Sequence, residues 1–430
     1  MKIAVVALGK IGLPLAVQFA DSGHEVVGAD VNAAIVDTVN AGNEPFPGEA
    51  HLAEKLAGAV GAGRLRATTD TTAAVSQAEA VVVVVPLFVN HEGEPDFAAM
   101  DSATRDIAAG LRPGTLVSYE TTLPVGTTRN RWAPLLEQGS GLVEGEDFHV
   151  VFSPERVLTG RVFADLRKYP KLVGGLSEAG AARAREFYEA VLQFDERPDL
   201  PRGNGVWDLG TAEAAEMAKL AETTYRDVNI GLANQFARFA GKNGIDVFQV
   251  IEASNSQPYS HIHRPGIAVG GHCIPVYPRL YLWTDPDATI VSTAREANAE
   301  MPSYAVELAE KAHGTLAGKR VVVLGASYRG GVKETALSGV FPVVRALQDR
   351  GARVTVHDPM YTDTELKRMG FLPHRLGEPV DVAIVQTDHA MYRELSADAL
   401  PGVGVIVDGR RVLDSKNFAD TTLITLGKGN

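Results

Sequence analysis

Residues 2–12 read Lys-Ile-Ala-Val-Val-Ala-Leu-Gly-Lys-Ile-Gly, and residues 25–30 read Glu-Val-Val-Gly-Ala-Asp. The first stretch opens with a nearly continuous apolar run, which is typical of a strand buried on both faces of a parallel sheet. A glycine turn and a helix pattern over 13–22 follow, and the second strand pattern ends in Asp30. This order of strand, glycine turn, helix, strand and acid predicts a doubly wound α/β domain.

The glycine turn also predicts a dinucleotide site. Backbone at Gly9 and Gly12 would let a pyrophosphate approach the positive end of the following helix. Asp30 would accept a ribose 2′-OH, and because no Lys or Arg follows it for a 2′-phosphate, NAD is favoured over NADP. Ala7 stands where the fingerprint has its first glycine, and the alternative is a plain strand–helix turn. The residues predicted at this cofactor site are Gly9, Lys10, Ile11, Gly12, Asp30, Pro86 and Thr121.

The pattern of alternating strands and helices restarts in the second half of the chain, after a segment whose apolar residues have helical spacing. Apolar residues at spacings of three and four predict one long helix over 211–241, with no proline inside it. Further strand patterns lie at 80–85, 116–119, 150–152, 320–325, 353–358, 381–385 and 403–408. We therefore expect two Rossmann-type doubly wound domains joined by a long central helix and a helical middle domain. The expected domains are residues 1–205 for NAD, 206–305 for the helical middle part, and 306–430 for the second Rossmann-type half, which lacks the dinucleotide fingerprint.

Composition narrows the class of protein. The chain has 430 residues, a formal net charge of −12 and one cysteine. An acidic balance argues against nucleic acid as the main partner, and the longest apolar run is too short to span a bilayer. One cysteine forms no intrachain disulfide, which fits a reducing compartment. Since the chain opens directly on a strand pattern, no signal peptide is expected, and the predicted location is cytoplasmic.

The single cysteine lies in the sequence Gly270-Gly-His-Cys-Ile-Pro275, where glycines allow close approach to a ligand. Two interpretations remain open for Cys273, a nucleophile or a buried inert thiol. A metal site is not expected, because adjacent His272 and Cys273 would point apart and no CxxC or HxxxH spacing occurs.

Three other groups also have two interpretations each. Glu155 follows the fifth strand, at the edge where ligands of such sheets collect, or it forms a surface ion pair. Thr122, just past the fourth strand, lies at the same edge as a ligand-binding residue, or it only shapes a turn. Lys219 lies on the long helix as a functional group or as a lysine that reaches out to solvent.

Together these residues resemble the UDP-glucose/GDP-mannose dehydrogenase family over nearly the whole chain. The resemblance rests on five motifs in order, and the Gly-Gly-His-Cys-Ile form is similar to the branch that oxidises UDP-N-acetylhexosamines. The motifs are the glycine turn with its acid, Glu120-Thr-Thr-Leu-Pro-Val-Gly-Thr-Thr128, Phe152-Ser-Pro-Glu-Arg156, Glu216-Met-Ala-Lys219 and Gly270-Gly-His-Cys273.

The resemblance implies a four-electron oxidation of a sugar CH₂OH to a carboxylate with two NAD⁺, by a homodimer. It implies that residues 206–305 form the dimer and that residues 306–430 bind the nucleotide sugar. It implies that Cys273 attacks the aldehyde, that Glu155 is the general base for hydrolysis of the thioester, that Lys219 stabilises oxyanion charge and that Thr122 positions the water or reacting oxygen. It also implies substrate contacts at Arg156, Thr223, Gly271, Tyr277, Arg329 and Arg410, with Lys333 as a further candidate cation.

The sequence departs from the family pattern at three places. Thr223 replaces an Asn, Tyr277 replaces an Asp, and Ala336 replaces an Arg that contacts the nucleotide. Two rival functions therefore stay open: a two-electron hydroxyacid-type dehydrogenase, or a nucleotide-sugar-binding protein that has lost catalysis. The first gives no reason for a second Rossmann half or for the Gly-Gly-x-Cys motif, and the joint presence of Cys273, Glu155 and Lys219 argues against the second.

Overall fold

The computed structural model describes residues 1–90 and 93–429. Packing divides the chain into two units, Met1–Ala221 and Glu222–Asn430. The boundary lies inside a single long helix, Ala212–Lys242. The three-domain division stays a prediction.

The first unit is built on an eight-stranded sheet. Its strands, with a small separate pair β5–β6, are β1 (Lys2–Val6), β2 (Glu25–Ala29), β3 (Leu65–Thr68), β4 (Ala80–Val83), β5 (Phe88–Val89), β6 (Pro95–Asp96), β7 (Leu116–Tyr119), β8 (His149–Phe152), β9 (Lys171–Gly175) and β10 (Val206–Thr211). The order in the large sheet is β10-β9-β8-β7-β4-β1-β2-β3. Its neighbouring strands are parallel, apart from the antiparallel pair of β8 and β9. The strand order reverses between β1 and β4, and ligands of such sheets bind at this point.

Helices cover both faces of this sheet. They are α1 (Gly12–Asp21), α2 (Ala33–Asn40), α3 (Leu52–Gly61), α4 (Thr71–Val75), α5 (Ala98–Gly110), α6 (Ala133–Ser140), α7 (Val162–Lys168), α8 (Glu178–Val191) and the long α9 (Ala212–Lys242), with a π-helical turn at Thr128–Trp132. All four residues of β4 are buried. Two apolar clusters, one on each face, form the core, as expected for a sheet whose strands are apolar on both sides.

The second unit carries a five-stranded parallel sheet in the order β12-β11-β13-β14-β15. The strands are β11 (Arg320–Leu324), β12 (Arg353–His357), β13 (Val382–Val385), β14 (Val405–Asp408) and β15 (Thr422–Thr425). The helices are α10 (Val247–Ser254), α11 (Tyr277–Thr284), α12 (Thr289–His313), α13 (Val340–Gln348) and α14 (Asp363–Arg368), with 3₁₀ turns at Ala390–Glu394, Ala397–Ala399 and Ser415–Phe418. Two parallel sheets with helices on their faces confirm the predicted fold class.

Helix α9 has 31 residues, a length of about 46 Å at 1.5 Å per residue. The sequence pattern placed this helix within one residue at each end. Four strands of the two large sheets were not anticipated, namely β3, β9, β10 and β15. Within the described residues, no helix is both long and apolar enough to cross a membrane.

Candidate active site

The turn between β1 and α1 has the geometry of a phosphate-binding loop. A Cβ atom added to Gly9 would meet no described heavy atom within 4 Å, so the backbone there is open to a ligand. A Cβ on Gly12 would lie 1.9 Å from the carbonyl oxygen of Ala7, so only glycine fits at the first residue of α1. Within the described parts of the chain, no side chain caps α1 at Ile11. The N–H of Leu13 donates to the carbonyl of Gly9 at 3.1 Å and Pro14 has no N–H. The turn therefore offers a pyrophosphate mainly the positive end of the helix dipole beside the open backbone of Gly9.

Ala7 has the left-handed φ angle that the fingerprint normally gives to glycine. Its φ is +75°, and its N–H donates to the carbonyl of Ala29 at 2.8 Å. A left-handed conformation costs a non-glycine residue about 1–2 kcal/mol. The turn therefore keeps its shape despite the substitution, at a cost in stability.

Asp30 lies directly after β2, beside this turn. Its Oδ2 accepts the N–H of Leu8 at 2.8 Å, and its Oδ1 accepts the N–H of Asn32 at 2.9 Å. These bonds fix the carboxylate at the edge of the sheet with acceptor capacity left over. The open glycine, the uncapped helix and the fixed acid fit a dinucleotide with a free ribose 2′-OH.

The remaining predicted cofactor residues lie on the same edge. The hydroxyl of Thr121, after β7, donates to the carbonyl of Val85, after β4, at 2.7 Å. Pro86 is exposed next to it, and Lys10 is exposed in the glycine turn. Neighbouring parallel strands β4 and β7 thus bring their following loops together next to β1.

Glu155 and Lys219 are brought together within the first unit. The ammonium of Lys219 donates to the backbone carbonyl of Glu155 at 2.6 Å, so it does not simply reach out to solvent. One carboxylate oxygen of Glu155 accepts the N–H of Arg156 at 2.7 Å. Thr122 is buried on the adjacent loop after β7. Backbone N–H of Glu155 donates to the carbonyl of Glu120 at 3.2 Å, which ties the two loops together.

Sequence reasoning did not identify the charged partner of Glu155. The ammonium of Lys171, the first residue of β9, lies 3.0 Å from Glu155 Oε2 and 2.7 Å from Glu120 Oε2. Burial alone would raise the pKa of Glu155, but the charge and hydrogen bond of Lys171 outweigh it and hold that pKa below its usual value. Glu155 is therefore kept as a carboxylate, which a general base requires. The sequence feature that pointed to this buried cluster was Glu120, an acid directly before Thr121 and Thr122 after β7.

In the second unit, Cys273 lies on an exposed loop. Gly271 has a φ of +97° and donates its N–H to the carbonyl of Ala336 at 2.8 Å. A Cβ on Gly270 would lie 2.6 Å from the Cβ of Tyr328. The glycines thus let this loop pack closely against the segment after β11, and the exposed thiol excludes the interpretation of a buried inert cysteine.

The proposed phosphate-binding cations differ in their surroundings. Arg329 is exposed, with its guanidinium 5.9 Å from the ring centre of Tyr328. Arg410 donates to the carbonyls of Gln386 at 2.8 Å and Ala268 at 3.2 Å, so it holds the segment that leads to Cys273. Lys333 pairs with Glu365 at 2.6 Å. Thr223 is buried on α9.

The acid after β12 is held differently from Asp30. Asp358 is buried, and its Oδ2 accepts the N–H groups of Ala326 and Ser327 and lies 2.9 Å from His389 Nε2. Asp30, at the matching place in the first unit, keeps capacity for a ribose, whereas Asp358 is used inside the protein. Residues 1–90 and 93–429 contain no group of three or more His, Cys, Asp or Glu arranged to hold a metal ion.

Three models of one protein family match consecutive parts of the chain. They describe the NAD binding domain (residues 1–192), the central domain (213–300) and the UDP binding domain (322–415) of the UDP-glucose/GDP-mannose dehydrogenase family. The matches follow the order of the two sheets and the long helix between them.

Characterised relatives match over almost the full length. The UDP-N-acetyl-D-mannosamine dehydrogenase of Pyrococcus horikoshii is 34% identical over 421 residues, covering 96% of each chain. The NDP-N-acetyl-D-galactosaminuronic acid dehydrogenase of Ralstonia solanacearum is 32% identical, covering 97% of each chain. A solved structure of the UDP-D-ManNAc dehydrogenase from Pyrococcus horikoshii has a TM-score of 0.87 at 31% identity, covering 99% of each chain.

Proposed function

Since this chain belongs to the UDP-glucose/GDP-mannose dehydrogenase family and is an NAD-dependent nucleotide-sugar dehydrogenase, we propose that it oxidises the C6 hydroxymethyl of a UDP-sugar to a uronate in a four-electron reaction. UDP-N-acetylhexosamines are the proposed substrates, and UDP-glucose is the alternative. The relatives named for N-acetylmannosamine and N-acetylgalactosaminuronic acid support this choice.

We assign the chemistry to the four residues that the family resemblance implies. Cys273 would capture the aldehyde covalently, and Glu155 would take a proton from the water that hydrolyses the thioester. Lys219 would stabilise oxyanion charge, and Thr122 would position the reacting oxygen. NAD⁺, when bound, supplies the hydride acceptor at the turn of Gly9–Gly12. The observation that carries the proposal is the exposed thiol of Cys273 on a glycine loop, because a nucleophile must be accessible.

The substrate contacts are also part of the proposal. Arg329 and Arg410 would face the diphosphate, since arginine recognises phosphate through charge-assisted hydrogen bonds. The other proposed contacts with the sugar nucleotide are Arg156, Thr223, Gly271 and Tyr277.

A panel of UDP-, dTDP- and GDP-sugars assayed for NADH formation tests the function. We expect NADH with a UDP-N-acetylhexosamine and a uronate in the product mass spectrum. In Glu155→Gln, an acyl adduct should accumulate on the peptide that contains Cys273. Tight binding of a UDP-sugar without any NADH would instead support the catalytically inactive binding protein.

We also propose that the protein is a homodimer through α9. Three apolar side chains in the second unit are exposed on one face of this helix, at spacings of four and three: Leu232, Phe236 and Phe239. Exposed apolar patches of this kind mark interaction surfaces. Light scattering should give the mass of two chains, and Phe236→Glu combined with Phe239→Glu should give one. The matched control is Phe88→Glu, an exposed phenylalanine away from α9.

A further inference from the structure

Four buried polar side chains form a continuous row behind Glu155. The Ser118 hydroxyl lies 2.7 Å from that of Tyr188, and Tyr188 donates to Glu120 Oε1 at 2.6 Å. Lys171 donates to Glu120 Oε2 at 2.7 Å and to Glu155 Oε2 at 3.0 Å. The row therefore joins Glu155 to a second carboxylate through one ammonium group.

The charges in this row do not balance when both carboxylates are ionised. One ammonium then faces two carboxylates, which gives a net charge of −1 on three side chains that are largely or fully buried. The side chains of Lys171 and Glu120 are 4% and 0% exposed, whereas that of Glu155 is 11% exposed. Adding one proton to the pair of carboxylates makes the group neutral, and burial favours the neutral group. The row thus has room for one exchangeable proton.

The surroundings place that proton on Glu120. Burial raises the pKa of Glu120 to about 7, with the negative charge of Glu155 acting in the same direction, while Lys171 and the Tyr188 hydroxyl oppose it. The charged or titratable groups facing Glu120 are Lys171 from β9, Glu155 from the loop after β8 and Tyr188 from α8. Glu155 keeps a lowered pKa beside the same ammonium. The two carboxyl groups therefore differ, one storing a proton and one remaining charged.

The row borders open space at its Glu155 and Lys171 end. Glu155 and Lys171 line a small cavity with Arg156 and Tyr169, and its volume of about 10 Å³ for the centre of a water molecule corresponds to a single water. Glu120 is not among the residues lining this cavity, and its side chain is fully buried. A proton on Glu120 thus exchanges through Lys171.

We propose that Glu120 and Lys171 form a buried proton store for Glu155, with Glu120 as the second acceptor and Lys171 as the positioning and relay residue. This inference rests on the proposed function of Glu155 as general base. In one concerted step, Lys171 gives one of its own protons to Glu120 while it takes up the proton that Glu155 took from water, because an ammonium has no lone pair to accept a proton beforehand. Lys171 ends with its charge unchanged, Glu155 is again a carboxylate, and Glu120 is a neutral acid.

The store makes the basicity of Glu155 depend on the state of Glu120. When Glu120 is ionised, it competes for Lys171 and repels charge on Glu155, so Glu155 holds a proton more readily. When Glu120 is neutral, Lys171 stabilises Glu155 alone and weakens it as a base. Uronate formation should therefore rise as the pH increases through about 7, the value to which burial raises the pKa of Glu120.

Three variants test the store. Glu120→Gln should remove the rise near pH 7 and lower uronate formation about tenfold at pH 8, because a general base contributes a factor of at least 10² and its strength is here only partly lost. Tyr188→Phe removes a hydrogen bond that favours the ionised form of Glu120, so it should shift the rise to higher pH without abolishing it. Glu144→Gln is the control, since its carboxyl also has a pKa raised by burial but lies before β8, at the opposite edge of the sheet. It should keep the wild-type profile.

A second measurement does not need turnover. Infrared difference spectra of the protein should show a carboxyl group ionising near pH 7 in the wild type and in Glu144→Gln, and none in Glu120→Gln. A wild-type spectrum or pH profile in Glu120→Gln overturns the proton store. Absence of NADH with every sugar nucleotide overturns the proposed function instead, and the infrared titration then still decides whether Glu120 stores a proton.

Discussion

The sulfur of Cys273 lies 3.8 Å from the phenol oxygen of Tyr277, the first residue of α11. The N–H of Tyr277 also donates to the carbonyl of Cys273 at 2.9 Å, so a backbone turn fixes the pair. The resemblance to the family predicts an aspartate at position 277. A phenol is neutral at pH 7, whereas a carboxylate is charged. The thiol therefore has a neutral hydrogen-bonding neighbour where relatives would have a negative one.

Replacing this neighbour should change the reactivity of the thiol. In Tyr277→Asp, a carboxylate near the sulfur disfavours the thiolate, and alkylation of Cys273 by iodoacetamide at pH 7 should slow by about tenfold. Tyr277→Phe removes only the hydroxyl and should slow alkylation much less. Because Cys273 is the only cysteine in the chain, the alkylated mass reports on this site alone. Equal rates for Asp and Phe would show that charge at position 277 does not act on the thiol.

The cofactor preference should depend on Asp30. Its fixed carboxylate repels a 2′-phosphate, so we expect kcat/KM to be at least about tenfold higher with NAD⁺ than with NADP⁺. Asp30→Ala should weaken the binding of NAD⁺ and reduce the ratio of kcat/KM with NAD⁺ to kcat/KM with NADP⁺. The control is Asp37→Ala, which removes an exposed acid on the following helix α2. It should leave kcat/KM with either cofactor unchanged. Equal activity of the wild type with NADP⁺ would contradict the assignment.

The strained backbone at Ala7 predicts a substitution that stabilises the protein. Glycine adopts a φ of +75° without the penalty of about 1–2 kcal/mol, while its more flexible unfolded chain costs about 0.4–1 kcal/mol. Ala7→Gly should therefore raise the free energy of unfolding by up to about 1 kcal/mol. Ala57→Gly, in the interior of α3, should lower it by about 0.5–1 kcal/mol. Urea denaturation measures both, and a loss of stability in Ala7→Gly would contradict the strain.

Much of the fold follows from local sequence patterns. Buried strands such as β4 are continuous apolar runs, and the helix α9 has a single uninterrupted period. The strand β9 escapes such reasoning, because Lys171 begins it and Gly174 and Gly175 end it. A Cβ at Gly174 would lie 2.0 Å from the carbonyl oxygen of Thr211, so close packing of the chain against this strand, and not strand propensity, selects glycine there.

The candidate site also has a part that local sequence patterns predict and a part that they do not. Asp30 and the glycine turn are local, and their spacing predicts them. The partners of Lys171 are 51 and 16 residues away in the chain, and a lysine at the start of a strand is normally solvated. Only the pairing of β8 with β9 and β7 brings this lysine between two carboxylates. Long-range contacts of this kind leave no periodic signal in the sequence.

The two sheets should bind different ligands. Arg329 is an exposed cation in the segment after β11, and arginine binds phosphate through charge-assisted hydrogen bonds. Arg329→Ala should raise the KM for the nucleotide sugar by about tenfold and leave the Kd of NAD⁺ nearly unchanged. Arg375→Ala is the control, an exposed arginine of the same unit that pairs with Asp363. If NAD⁺ binding falls in Arg329→Ala, the ligands of the two sheets are assigned the wrong way round.

The stoichiometry of NADH decides whether Cys273 is a covalent nucleophile. If the thiol captures the aldehyde, the intermediate cannot leave between the two hydride transfers, and two NADH should form per uronate. Cys273→Ser should abolish most of the second oxidation, because serine is much harder to ionise and its ester hydrolyses less readily than a thioester. Cys273→Ser should then release aldehyde, detectable with a carbonyl reagent, with one NADH per sugar. The control is Ser256→Ala, which removes an exposed hydroxyl that donates to the carbonyl of Ala253, and it should keep the ratio of two. A wild-type ratio of one, with free aldehyde in solution, would favour the two-electron dehydrogenase.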